Sequence, residues 1–226
     1  MTHIMSTVQR NMIWLFLFAF AMAQVEAALV IHLRSLYYPD DPLSIFPIVL
    51  MSHRDLAIEL VRELATVLMI MAVALLAERN LTRIFAAFVF VFGLWDIFYY
   101  VWLKIMIGWP TSWLEWDVLF LIPWPWFGPW ICPVLIALLF TLWGGWILLS
   151  SSVHRFSRAA LAFFLLGTLL ALASFLLPAV TLLPGGEEAF RGYEPGSFLW
   201  GLFLTGYLFM FVGLFKVATD GITSTK

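Results

Sequence analysis

The chain has 226 residues, 63% of them hydrophobic and only 12% charged, with a formal net charge of −2 and a mean hydropathy of +0.98. Soluble domains run about 45–50% apolar and about 25% charged, so a water-soluble globular enzyme is excluded, as are a disordered chain and a coiled coil. Twelve Lys and Arg against 14 Asp and Glu form no basic stripe for nucleic acid, and the single cysteine, Cys132, excludes an intrachain disulfide, a paired-cysteine zinc or redox site and covalent haem attachment.

What remains is an all-α, polytopic transmembrane helical bundle. A helix needs about 20 apolar residues to cross about 30 Å of hydrocarbon. Six stretches meet that length, at 12–33, 55–77, 84–107, 131–150, 158–182 and 197–217. They are continuously apolar rather than alternating, which excludes a β-barrel. No internal repeat or low-complexity linker divides them, so residues 1–226 read as a single integral membrane domain. In the first stretch Arg10, the run Met12–Phe20 and Ala21-Met22-Ala23 imitate a secretory signal. The apolar character resumes through Ala27–Leu33, however, and the full spanning length predicts a retained anchor.

Basic residues in short loops set orientation. With the N-terminus inside, the inner side collects Arg10, Arg79, Arg83, Arg155, Arg158, Lys216 and Lys226. The outer side holds Arg34, Arg54, Lys104 and Arg191, diluted by Asp40, Asp41, Glu115, Asp117, Glu187, Glu188 and Glu194. The reading is a bacterial-type inner (plasma) membrane protein with both termini cytoplasmic. Asp40-Asp41, flanked by prolines, is a turn.

The second span opens with Asp55, Glu59, Arg62, Glu63 and Thr66, which at about 100° per residue share an arc of about 100°. Such a stripe cannot face lipid, because one charge at the bilayer centre costs about 2.5–3.5 kcal/mol. In the third span Asp96, Tyr99 and Tyr100 share a similar arc, and Gly93 beside them permits close helix approach. Counting about 1.5 Å per residue from the outer ends places Glu63 and Asp96 at similar depths, with Glu26 of the first span near that level. Arg62 is the only base in the stripe and is expected to pair with Asp96 or Glu59. The surplus acids, Glu63 and Glu26 above all, are left to carry a proton or meet a cation.

Residues 108–130 hold Ser112 and Glu115 at capping-box spacing, and this predicts a short interfacial helix over 112–122 before the fourth span. Pro123, Pro125, Pro129 and Pro133 then interrupt any helix. Eight of the 12 tryptophans fall between Trp95 and Trp130. They read first as an aromatic belt, and second as the wall of a pocket for a quinone or lipid.

Other chemistry finds no footing. The spacings of zinc proteases and di-iron bundles are absent, as are phosphate-binding and nucleophile-elbow motifs, so no metal site and no cofactor is assigned. The histidines read as rim residues and Lys104 as a snorkelling one. Gly167, Ala171 and Ser174, with Gly201, Thr205, Gly206 and Gly213, form small-residue seams that serve either helix packing or a partner membrane subunit.

Ionisable groups within spans are functional more often than not, and acids exceed what one structural clasp requires. The expected function is therefore a membrane subunit or accessory of a larger complex. Its outward-facing cluster of Glu59, Arg62, Glu63, Asp96 and Tyr99, with Glu26 as a weaker member, would handle a proton, a cation or a quinone or lipid headgroup. In this reading Arg62 orients the carboxylates, Glu63 is the exchangeable acid, and Tyr99 or Tyr100 donates a hydrogen bond. Two alternatives stay open. One is a membrane-embedded enzyme acting on a lipid or quinone, which predicts a cavity beside the Trp-rich loop. The other is a small proton- or cation-coupled secondary transporter, which predicts discontinuous helices.

Overall fold

A computed structural model of the chain describes residues 7–223; Lys226, counted above with the inner-side bases, lies outside them. Six helices are long and apolar enough to cross a membrane. They are α1 (Thr7–Tyr37), α2 (His53–Ala77), α3 (Leu81–Ile107), α4 (Ile131–Leu149), α5 (Arg158–Leu182) and, after a single turn α6 (Gly186–Phe190), α7 (Trp200–Thr223). Local chemistry sets several of their ends. Ser52, Asn80 and Ser157 cap α2, α3 and α5 by accepting first-turn amides on their side chains, and Gly108 closes α3 in the left-handed conformation at φ 76°. The Lys104 ammonium reaches toward the end of its helix, where it donates to the free carbonyls of Gly108 and Pro110 at 2.9 and 2.8 Å.

Helix α3 is the hub, packed against α1, α2 and α4, while α5 pairs with α7 and α4 joins the two groups. Glycine makes the closest approaches possible. A Cβ on Gly144 of α4 would sit 2.6 Å from the Ala86 carbonyl of α3, and one on Gly206 of α7 would sit 2.5 Å from the Ala171 amide of α5. Gly167 and Gly213 are closed in the same α5–α7 contact, so that seam is spent on internal packing. Indole donors add cross-links: Trp143 reaches the Leu214 carbonyl at 2.8 Å and Trp102 the Phe20 carbonyl at 3.2 Å.

At the end bearing most of the basic residues, Arg83 donates to the Glu78 carboxylate and to the carbonyls of Ile147, Leu148 and Ser150, satisfying the end of α4. His154 is buried here rather than at a rim, its ring between the Val217 carbonyl and the Ser150 hydroxyl at 3.2 and 2.9 Å.

The interfacial helix predicted over 112–122 does not form. Strands β1 (Trp116–Phe120) and β2 (Trp126–Pro129) make an antiparallel hairpin instead, pairing Trp116 with Pro129 and Phe120 with Trp126 across a register shift. Half of the capping box exists, with the Glu115 carboxylate accepting the Ser112 amide at 3.1 Å, but it also takes the Thr111 amide and hydroxyl and so closes a turn. The following residues alternate Trp116, Val118, Phe120 on a bulky pattern suited to a pleated strand, and the prolines at 123, 125 and 129 deny a helix its donors.

The glycine contacts yield a paired prediction. Gly206→Leu lowers the thermal unfolding midpoint in detergent, by overpacking worth about 1–3 kcal/mol. Gly201→Leu on the same helix, where nothing lies within 4 Å of an added Cβ, leaves it unchanged. Equal midpoints would disprove the α5–α7 seam.

Candidate functional site

The hairpin does not lie flat on the helix ends. Leu121 at its turn donates its amide to both Glu63 carboxylate oxygens, at 2.9 and 3.0 Å. Glu63 stands ten residues into α2, about 15 Å from the start of that helix. On the other flank Trp126 stacks on Phe175, seven residues inside the end of α5, with ring planes 5° apart. The hairpin therefore re-enters the bundle. Non-helical backbone at such depth is tolerated where protein or a cavity encloses it, and Glu63 supplies the acceptor that Leu121 needs.

Beneath and beside the hairpin lies a cavity of about 540 Å³. Its apolar wall includes Val30, Leu56, Val118 and Phe127, and its polar lining comes from α1, α2, α3 and β1 in two layers. In the deeper layer Arg62 binds Glu59, with Nε 2.9 Å from Oε1, and forms a second ion pair with Glu26. Glu59 and Glu63 are both buried. These residues converge because Glu59, Glu63 and Thr66 share the one buried stripe of α2 with Ile70 and Ala74.

The shallower layer centres on Arg34, only 4% exposed, whose Nη2 is 3.2 Å from Asp117 Oδ1. Tyr100 donates its hydroxyl to Asp117 Oδ2 at 3.1 Å, and the Arg34 guanidinium sits 4.0 Å over the Trp109 ring. Burial pushes the Asp117 carboxyl above its ordinary range, while Arg34, the Tyr100 hydroxyl and the Val118 amide pull it back.

Each residue singled out from the sequence can now be placed. Glu59, Arg62, Glu63, Asp96 and Tyr99 all line the cavity, and so does Glu26. Arg62 pairs with Glu59 and not with Asp96; Glu26 is its second partner, so the weaker member is a direct one. Glu63 is held by the hairpin amide. Asp96 lines the cavity, and its Oδ2 is buried with no hydrogen-bond partner among the described residues. Tyr99 packs edge-on against Tyr100, and Tyr100 is the tyrosine that donates a hydrogen bond. Asp55 stays outside this network, at the helix start, accepting from Tyr37 and Ser52 at 2.6 and 2.7 Å.

Arg62 is not the lone guanidinium. The sequence reads Arg34 and Asp117 as outer-side charges, because the first span ends near residue 33 and residue 117 falls in the expected interfacial helix over 112–122. A signal for Arg34 was present: it continues the buried face of Leu15, Ala19, Ala23 and Ala27. Nothing local marks Asp117, since its burial depends on the hairpin. The tryptophans divide in the same way, with Trp109 fully buried, Trp95 and Trp124 on the cavity wall, and Trp113 74% exposed.

Fold and site together define a multi-pass membrane protein with an ionisable cavity roofed by a re-entrant hairpin. No protein family, curated protein sequence or solved structure matches this chain.

The Glu63–Leu121 contact has a measurable consequence. Glu63→Leu strands a part-buried amide, costing about 1 kcal/mol, and accelerates hydrogen exchange at 119–124. Glu63→Gln keeps one acceptor and most of the protection. Unaltered exchange in the leucine variant would show that the hairpin does not depend on this carboxylate.

Proposed function

We propose that this membrane protein receives the polar head of an amphipathic, membrane-resident molecule of the quinone or lipid kind in the cavity under the hairpin, and that the carboxyl groups lining it exchange a proton with that head. The observation carrying this reading is the cavity itself. At about 540 Å³ it falls within the size range of small-molecule sites, about 300–1,000 Å³, and it combines apolar walls with a few convergent polar groups. Five carboxyl groups reach it from within the bundle, those of Glu26, Glu59, Glu63, Asp96 and Asp117, against two guanidinium groups, Arg34 and Arg62.

The same geometry ranks the possible roles. A membrane-embedded enzyme acting on a lipid or quinone gains support from a cavity beside the Trp-rich segment. For a role as accessory subunit of a larger complex, the part of the small-residue seam at Gly167, Gly206 and Gly213 is closed between α5 and α7, and only its Gly201 and Thr205 end stays open to a partner. A transporter draws less support still, because the broken segment is a hairpin between helices rather than an unwound helix.

Orientation belongs to the proposal. The end carrying Arg10, Arg79, Arg83, Arg155 and Arg158 faces the cytoplasm of a bacterial-type inner membrane under the positive-inside rule, so the cavity opens on the extracytoplasmic side. In intact cells an impermeant maleimide should label Glu188→Cys and spare Arg79→Cys. The reverse pattern would invert the topology.

Occupancy is tested by recovering the protein in polymer nanodiscs without detergent and identifying the extracted amphiphiles by mass spectrometry. One quinone or lipid species should be enriched over bulk membrane, and Val30→Trp, which fills the cavity from α1, should lose it. Recovery of bulk lipid alone from both proteins would refute the binding role.

A further inference from the structure

A ligand whose head lies under the hairpin must also place its tail, and one flank of α2 offers a path for it. Among the helices, α2 packs closely against α3 alone. One side of its buried stripe turns to α1, where Arg62 meets Glu26 and Asp55 meets Tyr37. The other side carries Leu56, Leu60 and Leu64, which at four-residue spacing stand one above the next along the helix. Leu56 lines the cavity, whereas Leu60 and Leu64 line an apolar groove of about 330 Å³ together with Val61, Ile122 and Pro123.

The hairpin turn supplies the facing wall in the same interleaved way. Leu121 and Trp124 line the cavity, while Ile122 and Pro123 between them line the groove. Cavity and groove are therefore two sides of one partition, made by α2 and a single turn and held by the Leu121 amide on Glu63. Toward the outer end of α2 the partition thins. Leu56 and Trp124 line the cavity and yet remain 37% and 45% exposed, and the link from α2 to α6 there is an exposed contact, His53 to Glu187 at 3.6 Å.

The walls of the groove also select its occupant. Helices associate inside a bilayer where small residues let their backbones approach, and lipid tails are as apolar as leucine, so burial alone draws no partner helix in. Leucine, valine, isoleucine and proline side chains line this groove, with no glycine, alanine or serine among them. A thin hydrocarbon chain suits such walls, and anchoring of its head next door would keep it there. Resting on the reading of the cavity as an amphiphile site, we propose that the acyl or isoprenoid tail of the bound molecule leaves past Leu56 and Trp124 and lies along Leu60 and Leu64 in this groove.

The test keeps the full chain in its membrane and replaces Leu64 with the photo-cross-linking residue p-benzoylphenylalanine. The same replacement at Leu169, an exposed position on α5, reports the surrounding lipid. After irradiation, Leu64 should capture, severalfold over Leu169, the species that nanodisc recovery enriches, and the adduct mass distinguishes an isoprenoid from an acyl chain. Val30→Trp fills the cavity at a residue that does not line the groove, so it should abolish that adduct and leave the capture at Leu169 unchanged. Where the Leu64 replacement fails to fold, Val61, on the same groove and 68% exposed, carries the probe instead. Capture of bulk lipid alone in the groove, by a protein that still enriches one species in nanodiscs, would overturn the tail path and leave the cavity reading standing. An enriched adduct that survives Val30→Trp would overturn it too, because the groove would then hold a chain without the head. No enriched species in either experiment would refute both readings.

Discussion

A polar backbone group inside a bilayer has no water to turn to, and this constraint governs the part of the molecule that matters most. The six helices satisfy their own amides, but the hairpin between α3 and α4 cannot. Its strands pair with each other, and its turn depends on side chains brought by other elements. Glu63 takes the Leu121 amide; Asp117, on the first strand, is answered by Arg34 and Tyr100. Glu63, Arg34 and Tyr100 on the facing helices thus hold extended backbone, and the acid it carries, at this depth.

Once the hairpin is in place, the cavity follows from geometry. Aromatic stacking of Trp126 on Phe175 fixes one side of the hairpin to α5, and Phe127 lies against Phe46 and Tyr193. The segment after α1 is tied over the same end through the pair formed by Ile48 with Gly192 and Tyr193, at 2.9 and 3.0 Å. Helices α1, α2 and α3 cannot close on one another beneath this roof, and their polar faces are left lining a common space.

Charges are distributed through that space by pairing rather than by simple accumulation. A buried ion pair recovers its desolvation cost only when its geometry and its additional hydrogen bonds are good. Arg62 satisfies this by taking two acids from two helices, and Arg34 by combining Asp117 with the face of Trp109. The ion pairs therefore have a structural share in joining α1, α2 and the hairpin. Asp96 stands apart from that architecture, which makes it the acid with most freedom to act on a bound molecule. Glu63, by contrast, has both carboxylate oxygens accepting a backbone amide.

Much of this molecule was legible in its residues taken in order. Run length and continuity of apolar character depend only on the chain, so the six spans were readable, as was the polar stripe of α2, which is set by helical periodicity. The pairing of Arg62 with Glu59 was also local, one turn apart on one helix. Harder to read was anything that joins distant segments. A capping-box spacing at Ser112 and Glu115 is compatible with a helix or a turn, and only docking against α2, α3 and α5 selected the strand pair. Arg34 and Asp117 are 83 residues apart, and nothing local to either names the other as its partner. Sequence by itself determined the solvent in which this protein lives and the periodicity of its helices, because those are sums over neighbours. Tertiary structure alone decided which acids are neutralised and which stands unpaired, because a buried charge is defined by what the rest of the chain brings against it.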